Sequence, residues 1–568
     1  MASRASKRAA RPVPAVSTAT GLASWPLLLA GMALAVFVYA PSLQGPFVFD
    51  DFHLPFADPK ASLMPAQFWI GGVRPVLMGS YWANYLYSGP GTYSYHAVNI
   101  ALHLIAAALV WRILGRLLRM AFPSEETRWT AFLGAGIFLL HPLQTESVDY
   151  IAGRSEVFCA FFVLSAWLVF LRRFGENTGP GKAALILACT MAAVLTKESG
   201  ICVVALLVAT DIYWNEGGIA VQLRKRRVLY VPVMLASCGA VFLILRRLAD
   251  SRSAGFGIGA SPAAYALTQC RVVLLYGRLF LAPAGQNVDW QIPLSSFRDP
   301  QAWVCVAGFA MLIAAIVWSY KRAREVSFGL VIFLIGLAPS SSVIPLQDAM
   351  AERRMYLPII GLSLALAGVA HRIRIPAGFA VPSGVAVLLA LAAVTHARSL
   401  VWSGGVSLWE DAVAKNPRNS RAHASLGTAR MLLHDCGGAA RDYKAVIAIE
   451  GLNDMDGRNL ASAYECGSQP DLALEIYRRL ADSKPASDLY TRIGYLEALH
   501  ENLEGSLTAF GKALRLDPNN AAAYAFRGVA RLATNDVAAA RADFRHSLAI
   551  DPSNAVATAW LAKLPPEN

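Results

Sequence analysis

The chain has 568 residues, 55% of them hydrophobic and only 16% charged, with a formal net charge of +13. Soluble globular chains carry about 25% charged residues, so this composition, with a mean hydropathy of +0.43, excludes an ordinary cytosolic enzyme, a disordered chain, a collagen-like fibre and a small disulfide scaffold. It fits a polytopic membrane protein with a soluble part attached, its cationic excess belonging to basic cytoplasmic loops or to an anionic lipid substrate rather than to nucleic acid.

Residues 1–20 carry Arg4, Lys7, Arg8 and Arg11 and read as a basic cytoplasmic N-terminus. The apolar run over residues 21–40 is too long for a signal-peptide core, and no A-x-A site follows Pro41, so it reads as a first membrane helix. Further apolar runs start near Ala97, Trp129, Glu156, Lys182, Ser199, Val228, Ala302, Val326, Tyr356 and Phe379, which gives about eleven spans in a transmembrane domain over residues 21–400. With the N-terminus inside, the short-loop basic clusters (Arg112, Arg116, Arg119 and Arg128; Arg172, Arg173 and Lys182; Arg224 to Arg227; Lys321, Arg322 and Arg324; His371, Arg372 and Arg374) all fall on the cytoplasmic side, as the positive-inside rule requires. Residues 246–299 then lie outside, with the apolar patch 272–281 read as interfacial or re-entrant. The tail, residues 401–568, also lies outside. Eight cysteines form no CxxC pair and no zinc spacing. Six sit in apolar stretches as small hydrophobes, and Cys436 and Cys466 in the tail could pair in an oxidising compartment.

In the tail a period appears. Tyr443, Tyr477, Phe510 and Phe544 recur every 33 or 34 residues, as do Gly427, Ala461, Gly494 and Gly528, and then Pro485, Pro518 and Pro552. Small residues let two helices pack closely, an aromatic fills the gap to the next unit, and proline stops the second helix. About four tetratricopeptide repeats are expected, forming an α-solenoid whose concave groove suits an extended peptide.

Ionisable residues beside apolar helices are costly and mark sites. Five groups lie on the outer side. Asp50 and Asp51, between aromatics just after the first helix, can divide the work of a general base and its orienting partner, or hold a divalent cation. Arg74 precedes a polar stripe in which His96, Asn99 and His103 share one helical face. The loop from His141 through Gln144 and Glu146 to Arg154 concentrates donors and acceptors, and Arg154 has the forked geometry for a phosphate. Lys197 and Glu198 sit in a tight turn, where the ammonium suits a lipid-borne phosphate. Glu352, Arg353, Arg354 and Tyr356 begin the tenth helix, and two outer arginines need an anionic partner or an ion pair. Together they describe cations gripping a lipid-linked phosphate while a carboxylate takes the proton of an acceptor hydroxyl.

The ordered set Phe49-Asp50-Asp51, Arg74-Pro75, His96-Ala-Val-Asn99, His141-Pro-Leu-Gln-Thr-Glu146, Arg154, Thr196-Lys197-Glu198-Ser-Gly200 and Glu352-Arg353-Arg354-Met-Tyr356-Leu-Pro358, followed by the repeats, resembles the transmembrane and tetratricopeptide-repeat-containing protein O-mannosyltransferases and their microbial relatives, glycosyltransferases of the GT-C type. The resemblance implies an all-α, multi-span transferase. Its donor would be a dolichyl- or undecaprenyl-phosphate sugar, and Asp50 or Asp51, rather than Glu146, would be the base. Arg74, Arg154, Lys197, Arg353 and Arg354 are then the expected donor-phosphate ligands. His96, His141, Gln144, Glu198 and Tyr356 are the expected substrate contacts. The expected partners are membrane lipid, the polyprenyl-phosphate sugar and secreted or membrane protein acceptors, with no nucleic acid. The rivals are a GT-C enzyme with a lipid or polysaccharide acceptor, and a non-enzymatic scaffold or transporter.

Overall fold

The computed structural model describes residues 25–565 except Gly217 and residues 249–254 and 256–260. The basic N-terminus expected over residues 1–20 lies outside the described residues. All described helices fall into two compact units, Met1–Gly404 and Gly405–Asn568.

The first unit is built from α1 (Trp25–Tyr39), α2 (Pro75–Ser88), α3 (Thr92–Ala121), α4 (Arg128–Leu140), α5 (Arg154–Leu171), α6 (Pro180–Thr196), α7 (Cys202–Trp214), α8 (Arg227–Leu248), α9 (Pro262–Leu281), α10 (Pro300–Arg322), α11 (Arg324–Leu337), α12 (Ile359–Ile373) and α13 (Ala377–Trp402). Each apolar run expected to span coincides with one of these helices. Among the described residues, six helices are long and apolar enough to cross a membrane: those over residues 26–44, 92–121, 154–171, 227–246, 300–322 and 378–402. Residues 128–140, 180–196 and 359–373 form shorter apolar helices. The α10 surface shows why water is the wrong solvent for this unit: Val304, Met311, Val317 and Trp318 are all more than 60% exposed, a patch that only lipid or protein could cover. The protein is a membrane protein. The region expected to be interfacial forms the continuous helix α9, and its Val272, Tyr276 and Leu279 are buried in the core. The helices close up where side chains are absent. A Cβ on Gly329 would lie 2.4 Å from the Gly361 carbonyl oxygen, and one on Gly361 would lie 2.2 Å from that of Gly329, so α11 and α12 meet backbone to backbone.

The second unit contains α14 (Gly405–Lys415), α15 (Ser420–Leu432), α16 (Cys436–Glu450), α17 (Asp454–Cys466), α18 (Pro470–Ser483), α19 (Ser487–Leu499), α20 (Leu503–Leu516), α21 (Ala521–Ala533), α22 (Val537–Ile550) and α23 (Ala555–Leu561). The 33- or 34-residue period reappears as geometry. The turn inside each pair places His434, Ser468, Glu501 and Asn535 at φ 56–61°, the left-handed close of a helix. Asn419, Asn453, Asn502 and Asn520 cap the following helices through their side chains, satisfying an otherwise unpaired N–H. The recurring aromatics do more than meet the next unit, as Phe510 meets Phe526 of α21. They seat on the small residue of their own repeat: a Cβ on Gly427, Gly494 or Gly528 would fall within 3 Å of Tyr443, Phe510 or Phe544. Cys436 and Cys466 form a disulfide with a Cα–Cα distance of 5.6 Å, stapling the first repeat to the second.

Candidate active site

The loop after α1 turns through a 3-10 segment, Phe49–His53, that divides the aspartate pair. Asp50 is exposed and Asp51 is fully buried. Asp51 Oδ2 accepts from the Val48 N–H at 3.1 Å and Oδ1 from the Ala152 N–H at 2.9 Å. Burial overcomes these two bonds and, with the Asp50 charge, pushes the Asp51 carboxyl up to about 8. The Asp50 backbone N–H donates to the Tyr150 hydroxyl at 2.8 Å. Asp51 therefore pins the loop, while the Asp50 side chain faces outward.

The receiving segment, residues 141–156, is buried almost throughout and holds itself by inward hydrogen bonds. His141 Nδ1 accepts from the Leu143 N–H at 3.2 Å, and Nε2 donates to the Phe280 carbonyl at 2.9 Å. Burial lowers its pKa to about 4, so the ring is neutral. Gln144 Nε2 donates to the Phe138 carbonyl at 3.2 Å. Asn99 Nδ2 reaches the carbonyls of Val148, Tyr150 and Ile151 at 3.0–3.4 Å. Gly153 has no room for a side chain: a Cβ would sit 2.7–2.8 Å from the carbonyls of Glu146, Ser147 and Tyr150.

Arg154 has no exposed surface. Its Nε donates to Asn99 Oδ1 at 2.9 Å, its Nη2 to Asn84 Oδ1 at 2.9 Å and to the Tyr95 carbonyl at 3.0 Å, and its plane lies 4.6 Å from the Tyr81 ring centroid. Asn84 and Asn99 are thus the acceptors that seat a buried cation. Here Arg154 is a strut between α2, α3 and the 141–156 segment. The same holds for others on the expected list. His96 Nε2 donates to the Gly45 carbonyl at 3.2 Å, Tyr356 bonds His103 Nδ1 at 2.8 Å, and Arg354 donates to the carbonyls of Asp348 and Ala349.

The remaining cations are each joined to a carboxylate. Arg74 forks onto Glu198 at 3.1 and 2.7 Å. Lys197 bonds Glu156. Arg353 reaches Glu146 Oε1 at 2.5 Å, and its backbone N–H donates to Oε2 at 2.9 Å. Arg74 keeps 39% of its side chain exposed, and Lys197 and Arg353 keep 18% each. Burial holds the Lys197 ammonium below the ordinary lysine range. Glu156 opposes that shift, while Arg74 and Arg353 add to it, so the three cations act in one field. For Arg353, burial is outweighed by Glu146, and Tyr150 and Asp50 also act on it. The local turns make this convergence. Lys197 ends α6 in extended backbone, and the turn doubles back so tightly that a Cβ on Gly200 would lie 2.5 Å from the Ala193 backbone.

Glu352 is buried and accepts from Gln286 Nε2 and the Asn287 N–H, both at 2.6 Å, and from Trp290 Nε1 at 2.9 Å. Glu156, Asn84 and Trp290 stood in segments the sequence marked, but their partners, and the parts of Gln286 and Asn287, did not follow from it, because a bond between distant segments leaves no local spacing. Among the described residues, no group of three or more His, Cys, Asp or Glu side chains is placed to hold a metal ion.

No protein-family model matches the chain. Individual proteins do. A protein O-mannosyl-transferase of Caenorhabditis elegans, F38B6.6, is 24% identical over 70% of this chain and 59% of its own length. Human protein O-mannosyl-transferase TMTC4 is 26% identical over 71% of this chain and 63% of its own, and mouse TMTC3 is 23% identical over 91% and 63%. The chain is similar to these O-mannosyl-transferases. It spans about three fifths of the length of each of the three. Among solved structures, the tetratricopeptide-repeat protein YrrB aligns with 31% of this chain and 88% of its own at 18% identity, with a TM-score of 0.26 that carries no weight here.

Proposed function

We propose that this protein is a membrane-bound protein O-mannosyl-transferase of GT-C type. Its donor is a dolichyl- or undecaprenyl-phosphate mannose, and its acceptors are secreted or membrane proteins. The observation that carries this reading is that Arg74, Lys197 and Arg353, each partly exposed, are held by the carboxylates Glu198, Glu156 and Glu146 in turns beside the apolar helices. The acceptor hydroxyl oxygen attacks the anomeric carbon as Asp50 takes its proton. The bond from that carbon to the phosphate oxygen breaks, and the polyprenyl phosphate leaves with the electron pair, inverting the sugar. Arg74 and Arg353, partly exposed, have donors left for the leaving phosphate, and their carboxylate partners keep them oriented before it arrives. Asp51 and Arg154 are positioning residues. About eleven spans, a cytoplasmic N-terminus and extracytoplasmic repeats belong to the same reading. The basic loop clusters and the disulfide, which requires an oxidising compartment, support them.

Membranes holding the full chain, with radiolabelled polyprenyl-phosphate mannose and secreted acceptor proteins, test it. Asp50→Asn should lower transfer by about a thousandfold or more, the upper part of what general-base removal costs. Equal transfer by wild type and Asp50→Asn rejects the proposed base.

A further inference from the structure

The site's two key contacts have neighbours that face away from it, toward one turn of the last span. Tyr150, whose hydroxyl holds the Asp50 N–H, follows Asp149, and Arg353, which grips Glu146, follows Glu352. Asp149 and Glu352 are each 1% exposed. Neither Asp149 oxygen is within hydrogen-bonding geometry of a partner among the described residues. The polar groups around it are the hydroxyls of Ser42 and Ser399 and the guanidinium of Arg398. Arg398 of α13, 7% exposed, contributes to the field at both Asp149 and Glu352.

One turn further on, Trp402 stacks on the Tyr150 ring at 5.8 Å between centroids and 28° between planes. Trp402 is 2% exposed. Its backbone carbonyl helps to close the space around Gly45: a Cβ there would lie 3.0 Å from it and 3.4 Å from His96 Nε2. The same helix anchors higher up through Thr395 Oγ1, which donates to the Leu140 carbonyl at 2.7 Å. The ring of Tyr150 is therefore held on one side by Trp402 while its hydroxyl holds the turn that carries Asp50.

We infer that the end of the last span is a positioning element of the transfer site: Trp402 fixes Tyr150 and through it Asp50. This rests on the assignment of Asp50 as base for its catalytic meaning, but not for its geometric content. Trp402 is a positioning residue that acts through Tyr150.

Two measurements on the full chain in lipid nanodiscs test it. For transfer from polyprenyl-phosphate mannose, Trp402→Ala should lower kcat about tenfold with donor KM within about twofold, since a misplaced base costs rate rather than affinity. Trp402→Phe, which keeps a stacking ring, should recover most of it. In a Tyr150→Leu background, Trp402→Ala should cause no further loss. Equal losses in both backgrounds, or a loss confined to KM, overturn the inference. The second measurement needs no activity. A nitroxide at Phe52→Cys, on the Asp50 turn, with the exposed free thiol removed by Cys238→Ser, should give an immobilised spectrum in wild type and Trp402→Phe. It should give a mobile one in Trp402→Ala. An unchanged spectrum in that variant refutes the positioning role. Absence of transfer by wild type refutes instead the enzyme assignment, and the spectrum still decides the positioning.

Discussion

The two units solve the same problem, holding helices and turns in place, in opposite ways. In the repeat unit each contact is local and recurs. Gly494 takes Phe510, Gly528 takes Phe544, and each cap lies within three residues of the N–H it satisfies. In the membrane unit the site is assembled from turns distant in sequence, by bonds such as Asp50 to Tyr150, Arg74 to Glu198 and Arg353 to Glu146. The first arrangement spreads damage thinly, because a repeat touches only its neighbours. The second concentrates it, because one turn carries several site residues at once.

Identical substitutions placed in the two units break or sharpen this contrast. The largest effect is expected at Gly153→Ala, whose Cβ meets three carbonyls. The turn holding Tyr150 and Ala152 must shift, and transfer should fall about a hundredfold or more, because ångström-scale misplacement has that cost. Gly494→Ala meets Phe510 instead. It should lower stability by about 1–3 kcal/mol, the usual cost of overpacking, while transfer at saturating donor stays within about twofold. A hundredfold transfer loss at Gly494→Ala would show that the units are not energetically separate.

Reducing the Cys436–Cys466 bridge, which closes a 30-residue separation, should cost about 3–4 kcal/mol locally. It would be read as protease sensitivity of the first two repeats with and without reductant. The membrane unit has a stronger pH signature than the repeat unit, where burial also raises Asp442. Asp51 and Asp149 are each pushed up to about 8 by burial. Below about 6.5 the neutral His141 opposes them, because the unfolded chain protonates that ring. From about 6.5 to about 8 the folded unit binds more protons than the unfolded chain, so its stability falls as pH rises through that window. Thermal melting in detergent from pH 6.5 to 8.5 checks the sign, and a rising profile contradicts it. The smallest effect is a single cap. Asn520→Ala removes the bond to the Ala523 N–H and should cost about 1 kcal/mol, seen as a small drop in melting temperature.

Legibility follows the same divide. The period of Tyr443, Tyr477, Phe510 and Phe544 named the repeats before any coordinate, and the apolar runs named the helices of the membrane unit. Residues 262–281 were harder, because Arg271 and Arg278 interrupt their hydropathy, yet the packing of Val272 and Tyr276 makes them one buried helix. The acidic pair, the three partly exposed cations and Glu146 stand out in the sequence as charge placed where charge is costly. Their division of labour was not. Sequence treats Asp50 and Asp51 alike, and it ranks Arg154 with Arg74. Only the hydrogen bonds from Val48 and Ala152 separate the first two, and only Asn84, Asn99 and Tyr95 withdraw Arg154 from the surface.

Composition and periodicity by themselves determined a helical membrane unit followed by stacked helical pairs, since hydrophobic burial and repeat packing depend on residues close together along the chain. Tertiary structure alone decided which charges face outward, which are struts and which carboxylate meets which cation. Those outcomes depend on desolvation and on hydrogen bonds between segments that come together only when the helices have packed.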